Sequence, residues 1–286
     1  VVGKGRVHLD DRSDFSSPSP VTDGKHVAFF FGNADLIVYD MKGKEVWRRN
    51  IVPEGDKYFA FQWTFSTSPI LFEGTLIMQV LQRDVPFSFA GVPRGKDGAN
   101  NIPSYLEAFD FATGKPAWKV ERKGQAVAES LEAFTTPVIA PTSDSGDKLQ
   151  LLVAGGDALS GHEPGSGKEL WRWGTWNPGK IGHWRLVPSP VAGKGVALAC
   201  APKKSPVYAV DIKTGELLWK SKDKEVSSDV CTPLYHDGYF YVLNGEFKDK
   251  RLSCIEPRSG KVLWMGEIGS RSKIEASPTC GDGKIY

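Results

Sequence analysis

One short pattern occurs five times in this chain of 286 residues and limits its fold more than any other feature. In each copy, as in VYAVDIKTGELLW at Val207–Trp219, an acidic residue precedes a glycine, and a tryptophan follows that glycine by four positions. The acids are Asp40, Asp110, Glu163, Asp211 and Glu256; the glycines are Gly43, Gly114, Gly167, Gly215 and Gly260. A period of about 45–50 residues is typical of repeat architectures.

A second landmark, Ser or Thr followed by Pro, precedes every copy. These pairs begin at Ser19, Ser68, Thr136, Ser189, Thr232 and Ser277. Each unit therefore reads as four short strands, the first beginning at the proline and the last ending at the tryptophan. A proline at a strand's first residue costs no ladder hydrogen bond, and the glycine supplies the positive φ of a tight hairpin. The acid before it is expected to accept N–H groups of the turn.

A four-stranded sheet cannot bury both of its faces alone, but a tryptophan at its outer strand can pack on a neighbouring sheet. We therefore predict an all-β fold, a β-propeller of four-stranded antiparallel blades that forms a single domain over residues 1–286. The expected blades span about residues 17–47, 68–118, 136–171, 189–219 and 232–264, with a partial sixth at 277–286. The predicted blade-docking residues are Trp47, Trp118, Trp171, Trp219 and Trp264.

The unit small-x-Asp-x-x-Thr-Gly-x-x-x-Trp resembles the blade signature of PQQ-like propeller repeats, from about Ser17 to the C-terminus. That group includes quinoprotein alcohol dehydrogenases, a periplasmic lipoprotein that assists outer-membrane barrel assembly, and many secreted bacterial propellers. The resemblance implies a ring of seven or eight blades and a periplasmic or extracellular location; alternatively, residues 1–15 supply a strand that helps to close the ring. The signature residues dock blades, so the likeness predicts fold, and we favour a non-catalytic bacterial branch of the group.

Composition excludes several classes of function. A net charge of +2 argues against a protein recruited to nucleic acid by bulk charge. No apolar run reaches the ~18 residues of a membrane helix, so membrane insertion is not expected. The four cysteines, Cys200, Cys231, Cys254 and Cys280, are neither adjacent nor in a C-x-x-C pair, which favours buried thiols over a metal site. No metal and no cofactor are predicted.

The long loops mark one face of the predicted propeller. The connection from each blade-ending tryptophan to the next Ser/Thr-Pro proline is longer after the first three blades than after the fourth and fifth. The loop Gln82–Tyr105 lies between the second and third strands of the second blade, which places it on the same face. This loop is either a mobile flap without a role, or a lid or partner arm that carries Phe87 and Phe89 as anchors. Loops are where function concentrates.

Nine residues on that face are candidate ligand or partner contacts. Four tryptophans beyond the repeat could form a platform for a sugar, a planar cofactor or a peptide, or could pack the connections onto the propeller. Two glutamates three positions apart could bind a cation or act as acid and base, or could mark the exposed side of a helical turn. The set is Trp63, Arg83, Glu129, Glu132, Trp173, Trp176, His183, Trp184 and Arg185.

The sequence favours a non-catalytic binding or scaffolding propeller that presents this loop-rich, Trp-rich face to a protein, peptide or glycan partner. No catalytic residue is predicted. The first alternative is a quinoprotein resembling PQQ-dependent dehydrogenases, with Ca²⁺ beside the quinone. The resemblance implies an adjacent cysteine pair in such enzymes, which this chain lacks. The second is a polysaccharide-acting enzyme using the tryptophans with Glu129, Glu132 and His183. The oligomeric state stays open.

Overall fold

A computed structural model describes residues 16–52, 59–89, 91–96, 98–143, 146, 148–222, 224–246, 248 and 250–286. Strands dominate, and the one helical element in this part of the chain is a 3-10 turn at Ala128–Leu131. None of the described helical structure is long and apolar enough to span a bilayer. The closing strand suggested for residues 1–15 falls outside the described residues.

Five four-stranded antiparallel sheets follow one another along the described chain. The first contains β1 (Val21–Thr22), β2 (His26–Phe30), β3 (Asp35–Asp40) and β4 (Glu45–Asn50). The second contains β5 (Ile70–Phe72), β6 (Thr75–Val80), β9 (Tyr105–Asp110) and β10 (Pro116–Glu121), with the separate hairpin β7 (Phe87–Phe89) and β8 (Val92–Arg94) inserted after β6.

The third sheet contains β11 (Val138–Pro141), β12 (Leu149–Gly155), β13 (Ala158–His162) and β14 (Glu169–Gly174). The fourth contains β15 (Val191–Gly193), β16 (Val196–Cys200), β17 (Val207–Asp211) and β18 (Leu217–Lys220). The fifth contains β19 (Leu234–His236), β20 (Tyr239–Asn244), β21 (Arg251–Ile255) and β22 (Val262–Glu267). A two-stranded sheet follows, β23 (Cys280–Gly281) with β24 (Lys284–Ile285). The all-β prediction of four-stranded blades is confirmed.

The residue two positions before the acid of each repeat is small because of what lies opposite it in the sheet. It pairs directly across the third and fourth strands with the tryptophan, as Ala209 does with Trp219 and Gly161 with Trp171. The register of these two strands shifts beside that pair in every sheet. A small side chain opposite the indole leaves room for the ring, and a register shift of this kind bends the strand locally.

Four of the repeated tryptophans lie against the hairpin glycine of the following sheet: Trp47 on Gly114, Trp118 on Gly167, Trp171 on Gly215 and Trp219 on Gly260. A Cβ atom added to any of these glycines would lie only 2.5 or 2.6 Å from an indole carbon. The glycines also have φ between 69° and 73°, in the left-handed region. Glycine is therefore required twice, once for the turn and once for the close approach of the ring.

The Ser/Thr-Pro landmarks form a chain of hydrogen bonds from sheet to sheet. The backbone N–H of each landmark Ser or Thr donates to the hydroxyl of the landmark in the next sheet, at 2.9–3.2 Å. The links are Ser19 to Ser68, Ser68 to Thr136, Thr136 to Ser189, Ser189 to Thr232 and Thr232 to Ser277. The hydroxyls of these landmarks therefore join neighbouring blades. First strands also contact each other, β11 with β15 and β15 with β19.

The hydrophobic core lies between neighbouring sheets. One cluster joins the first two sheets through Phe30, Leu36, Leu76 and Tyr105. A second joins the second, third and fourth sheets, and a third joins the fourth and fifth sheets. Each sheet buries its apolar faces on its neighbours, which is the packing of a β-propeller.

Candidate functional site

The long connections converge on one face, as the loop lengths predict. The connection after the second sheet runs beside the connection after the third, because Phe134 N donates to Leu186 O at 2.8 Å and Leu186 N to Glu132 O at 3.2 Å. The same segment is tied to the loop that follows β6, since Ala133 N donates to Leu81 O at 3.1 Å. Two loops of the second blade and the connection after the third blade thus form one continuous layer.

Glu132 is the most deeply buried acid of this layer, with no solvent-exposed surface. Its Oε1 lies 2.5 Å from Arg83 Nε, and its Oε2 accepts the backbone N–H of Gln62 at 3.0 Å. Arg83 also donates to Gln62 Oε1 at 2.6 Å. Burial raises the pKa of Glu132 to about 7, although the Arg83 guanidinium and the Gln62 amide both lower it. The carboxylate therefore fixes Arg83 between two loops.

Glu129, three residues earlier in the chain, also pairs with an arginine from another loop. Its Oε1 accepts a hydrogen bond from Arg185 at 2.9 Å and a longer one from the Trp63 indole at 3.4 Å. The Arg185 guanidinium lies 5.8 Å from the centre of the Trp63 ring. The reading of Glu129 and Glu132 as the exposed side of a helical turn is therefore wrong. Arginines from other loops pair with both, so both point inward.

The hairpin β7–β8 packs on this layer. Phe89 meets the Trp63 ring edge-to-face with centroids 5.0 Å apart, and the Arg83 guanidinium lies 4.0 Å from the centre of the Phe87 ring. The two phenylalanines therefore pack the hairpin onto the chain's own loops. We name the assembled group the connection-face cluster: Gln62, Trp63, Arg83, Phe87, Phe89, Glu129, Glu132 and Arg185. Trp63, Phe87, Phe89 and both arginines remain half-buried and reach solvent.

The other predicted site residues lie elsewhere. Trp176 is only 3% exposed and belongs to the core, while Trp173 stacks 4.9 Å from Tyr208 and 6.2 Å from Trp176. Trp184 is half-buried and its backbone N–H donates to Ser130 Oγ at 2.7 Å, whereas His183 is exposed. The four additional tryptophans thus do not form one platform, and two of them pack the connection onto the propeller.

The comparisons with known proteins agree with this architecture. The family model described as outer membrane protein assembly factor BamB matches residues 203–286. The BamB structure from Moraxella catarrhalis superposes with a TM-score of 0.61 at 16% identity, covering 93% of this chain and 67% of that one. A europium-containing methanol dehydrogenase superposes with a TM-score of 0.60 at 13% identity, covering 93% of this chain and 63% of that one.

This chain has the fold of a β-propeller, and its repeats are similar to the PQQ-like repeats of the proteins that it matches. Among curated relatives, it is 26% identical to BamB of Yersinia pestis over 58% of this chain and 39% of that protein. It is 22% identical to a tetrathionate hydrolase of Acidithiobacillus ferrooxidans over 65% of this chain and 37% of that enzyme. The propeller thus matches less than two fifths of the length of either relative.

The quinoprotein alternative requires a calcium–quinone site, and the residues of the propeller can be compared with it. No three His, Cys, Asp or Glu side chains among the described residues come together in a way that could hold a metal ion. Cys200, Cys231 and Cys254 are separate free buried thiols, and burial raises the pKa of each. Within the part of the chain that the structure describes, there is thus neither a cluster of three such side chains nor a bonded cysteine pair.

The sequence reasoning missed a buried polar group in the third blade of the propeller. Arg122 is buried and donates to Ser160 Oγ at 2.9 Å and to the carbonyls of Gly155 and Ala158 at 3.0 Å. Burial lowers the pKa of its guanidinium to about 9. These three partners are 33–38 residues away in the sequence, so no local spacing signals the contact. Arg122 joins the second blade to the third.

Proposed function

We propose that this propeller is a non-catalytic scaffold whose connection-face cluster binds a protein or peptide partner. One observation carries the proposal. Two arginines and three aromatic rings form a partly exposed surface, and two buried glutamates beneath it form ion pairs with the arginines. Arginine and aromatic side chains are enriched among residues that dominate protein–protein binding. A surface already fixed in place loses little conformational entropy on association.

The chemistry of the glutamates supports binding over hydrolysis. An acid–base pair acting on a polysaccharide needs carboxyl groups that reach the substrate. Here Glu129 and Glu132 are buried and occupied by Arg185 and Arg83, so they position the arginines. Because Trp173 and Trp176 pack inward, the face also lacks the broad aromatic platform that the glycan reading requires.

The relatives suggest the class of partner. The matching family is described as an outer membrane protein assembly factor, so we propose a protein of the bacterial cell envelope as the partner and the periplasm as the location. The tetrathionate hydrolase and the methanol dehydrogenase share the fold at 22% and 13% identity, and no feature of the described residues favours their chemistry here.

A capture experiment with three immobilised proteins tests the proposal: the wild type, Phe89→Ala and Leu170→Ala. Phe89 is half-buried in the cluster, whereas Leu170 is an exposed apolar side chain on β14, away from it. Cross-linked envelope proteins are identified by mass spectrometry, and binding is then measured with the purified partner. We expect Phe89→Ala to weaken that affinity at least tenfold, while Leu170→Ala matches the wild type and all three melt alike.

Equal affinity of the wild type and Phe89→Ala for every captured protein would contradict the proposal. So would calcium- and quinone-dependent alcohol oxidation by the purified wild type, since that result would restore the dehydrogenase alternative. The alcohol-oxidation assay uses the same protein preparation as the capture experiment. A failed capture can then be interpreted together with a direct measurement of catalysis.

A further inference from the structure

The fourth sheet carries a lysine where related turns of the chain carry an acid. The turn between the first and second strands places a residue with positive φ before a glycine. That residue is Glu73 in the second sheet, Asp237 in the fifth and Asp282 between β23 and β24, but it is Lys194, with φ of 51°, in the fourth. Aspartate is enriched in this left-handed conformation and lysine is not, so the turn itself gives no reason for the change.

Lys194 lies on the face opposite the connection-face cluster. Because neighbouring strands of each sheet run antiparallel, the first and third turns emerge at one end of the strands. The second loop and the connections between sheets emerge at the other end. A site around Lys194 is therefore separate from the proposed partner-binding face and does not depend on it.

The turns of three neighbouring sheets enclose a cleft of about 360 Å³ beside Lys194. A Cβ on Gly195 would lie 3.5 Å from Thr142 O of the third sheet and 3.6 Å from Arg258 Nη1 of the fifth, so all three sheets converge here. The repeated tryptophans close both interfaces between these sheets, which places the cleft inside the array of blades. Its charged and hydroxyl-bearing lining residues are Thr142, Ser143, Lys194, Asp211, Lys213 and Arg258.

Positive charge predominates in this lining. Three cations, Lys194, Lys213 and Arg258, accompany one acid, Asp211. Asp211 Oδ1 accepts the backbone N–H of Lys213 at 2.9 Å, and its Oδ2 lies 3.3 Å from Arg258 Nη1, which keeps the guanidinium beside the cleft. Glu256, outside the lining, likewise accepts N–H groups of its own turn. Both acids are thus engaged by the turns, and the cleft retains an excess of positive charge.

The donors of the lining suit an oxyanion. Ammonium, guanidinium and hydroxyl groups are the side-chain donors that bind phosphate in proteins. None of the described residues that line the cleft is aromatic, so nothing there stacks on a planar ligand. We propose that the cleft binds a phosphate group, held by Lys194 and Lys213 of the fourth sheet and Arg258 of the fifth. Free phosphate and the phosphomonoester of a lipid headgroup offer the same chemistry.

Calorimetry with inorganic phosphate at constant ionic strength tests the site in the wild type, Lys194→Asp, Lys194→Arg and Lys25→Asp. Lys194→Asp installs the residue that the fifth sheet carries in the same turn, so this variant is expected to fold. Lys25→Asp makes the same change of charge at an exposed position in the corresponding turn of the first sheet. We expect Lys194→Asp to weaken binding about tenfold or more, because it removes a charge-assisted donor and adds an acid. Lys194→Arg and Lys25→Asp should bind like the wild type.

Arg258→Gln tests the contribution of the fifth sheet. Because 53% of the Arg258 side chain is exposed, this variant should melt like the wild type while binding phosphate more weakly. Absence of phosphate binding by the wild type would overturn the proposal. So would equal losses in Lys194→Asp and Lys25→Asp, or binding that Arg258→Gln leaves unchanged.

Vesicles of phosphatidylcholine containing phosphatidic acid distinguish the two sources of phosphate. Co-sedimentation that free phosphate competes away and that Lys194→Asp abolishes would assign the cleft to a lipid headgroup. Phosphate binding without co-sedimentation would assign it to the free ion. Co-sedimentation that persists in Lys194→Asp and in saturating phosphate would show that the membrane is bound elsewhere, and would overturn the headgroup assignment.

Discussion

At the scale of single residues, a neutral histidine is held inside the third blade. His162 is 1% exposed, with Nδ1 2.9 Å from Gly167 O and Nε2 2.9 Å from Ser160 Oγ. This geometry fits a proton on Nδ1 that is donated to the carbonyl, while Nε2 accepts from the serine hydroxyl. Burial lowers the pKa of His162 to about 4, with a smaller contribution in the same direction from the Arg122 guanidinium and an opposing one from the hydrogen bond to Gly167 O. His162 is therefore a packed hydrogen-bonding residue of the third blade.

The lowered pKa of His162 predicts acid sensitivity. The stability that the neutral His162 contributes is fully present above the pKa of histidine in the unfolded chain, about 6.5. This stability is lost as pH falls from there through the folded-state pKa of about 4, because the unfolded state takes up the proton first. The loss is about 3 kcal/mol at most. Asp157 and Glu132, whose pKa values burial raises to about 6 and about 7, act with the opposite sign in this range.

The measurement is therefore a difference between variants. Urea denaturation of the wild type, His162→Asn and the exposed control His183→Asn is followed from pH 7.5 to pH 4. The gap in unfolding free energy between the wild type and His162→Asn should shrink as pH falls, while His183→Asn follows the wild type throughout. A gap that stays constant over this range would show that His162 is not buried in its neutral form.

At the scale of elements, the hairpin between the third and fourth strands of each blade is the unit of docking. Its acid accepts turn N–H groups, as Asp110 Oδ1 does from Thr113 N at 2.8 Å and Asp211 Oδ1 from Lys213 N at 2.9 Å. Its glycine receives the indole of the preceding blade. The five residues from the acid to the glycine thus both form the turn and contact the preceding blade. This double requirement explains why the motif is so uniform along the chain.

Gly215 and Gly43 separate these two roles. Both have positive φ, 73° and 82°, but a Cβ on Gly215 would overlap Trp171 at 2.6 Å whereas Gly43 has no atom within 4 Å. Gly43→Ala should cost about 1 kcal/mol for its backbone conformation, and Gly215→Ala about 1–3 kcal/mol more for the displaced ring. Reversible urea denaturation of the two variants measures the difference. Equal costs would mean that the ring moves aside freely and that the contact is not tight.

The hairpins could be predicted from the sequence because each depends on residues within a span of about ten. The connection-face cluster could not be assembled in that way. Its ion pairs join residues 49 and 56 positions apart, Arg83 with Glu132 and Arg185 with Glu129. Loop length groups these side chains on one face of the predicted propeller, but it does not say which of them are buried. Trp176 and Trp63 are both tryptophans of long connections outside the repeat. Trp176 is nevertheless buried in the core, whereas Trp63 is half-buried in the connection-face cluster.

At the scale of the whole molecule, the blades are coupled through their immediate neighbours. Each described contact layer, whether indole on glycine, landmark hydrogen bond or apolar cluster, joins sheets that are adjacent in sequence. Stability in such an array is close to a sum of repeat and nearest-neighbour contributions. A lesion at one interface should therefore loosen the blades beside it and leave distant blades protected.

Trp219→Ala and Trp47→Ala test this coupling from opposite ends. Trp219 joins the fourth blade to the fifth and donates to Pro257 O at 2.7 Å, while Trp47 joins the first to the second and donates to Phe111 O at 2.8 Å. Truncating either indole should cost about 3 kcal/mol at its interface. In hydrogen exchange read by mass spectrometry, Trp219→Ala should speed exchange in β19–β22 and leave β1–β4 at the wild-type rate, and Trp47→Ala should do the reverse.

Both variants carry the same chemical change, so each is the control for the other. If both sped exchange equally in all five sheets, the propeller would unfold as one cooperative unit, and the nearest-neighbour account of its blades would be wrong.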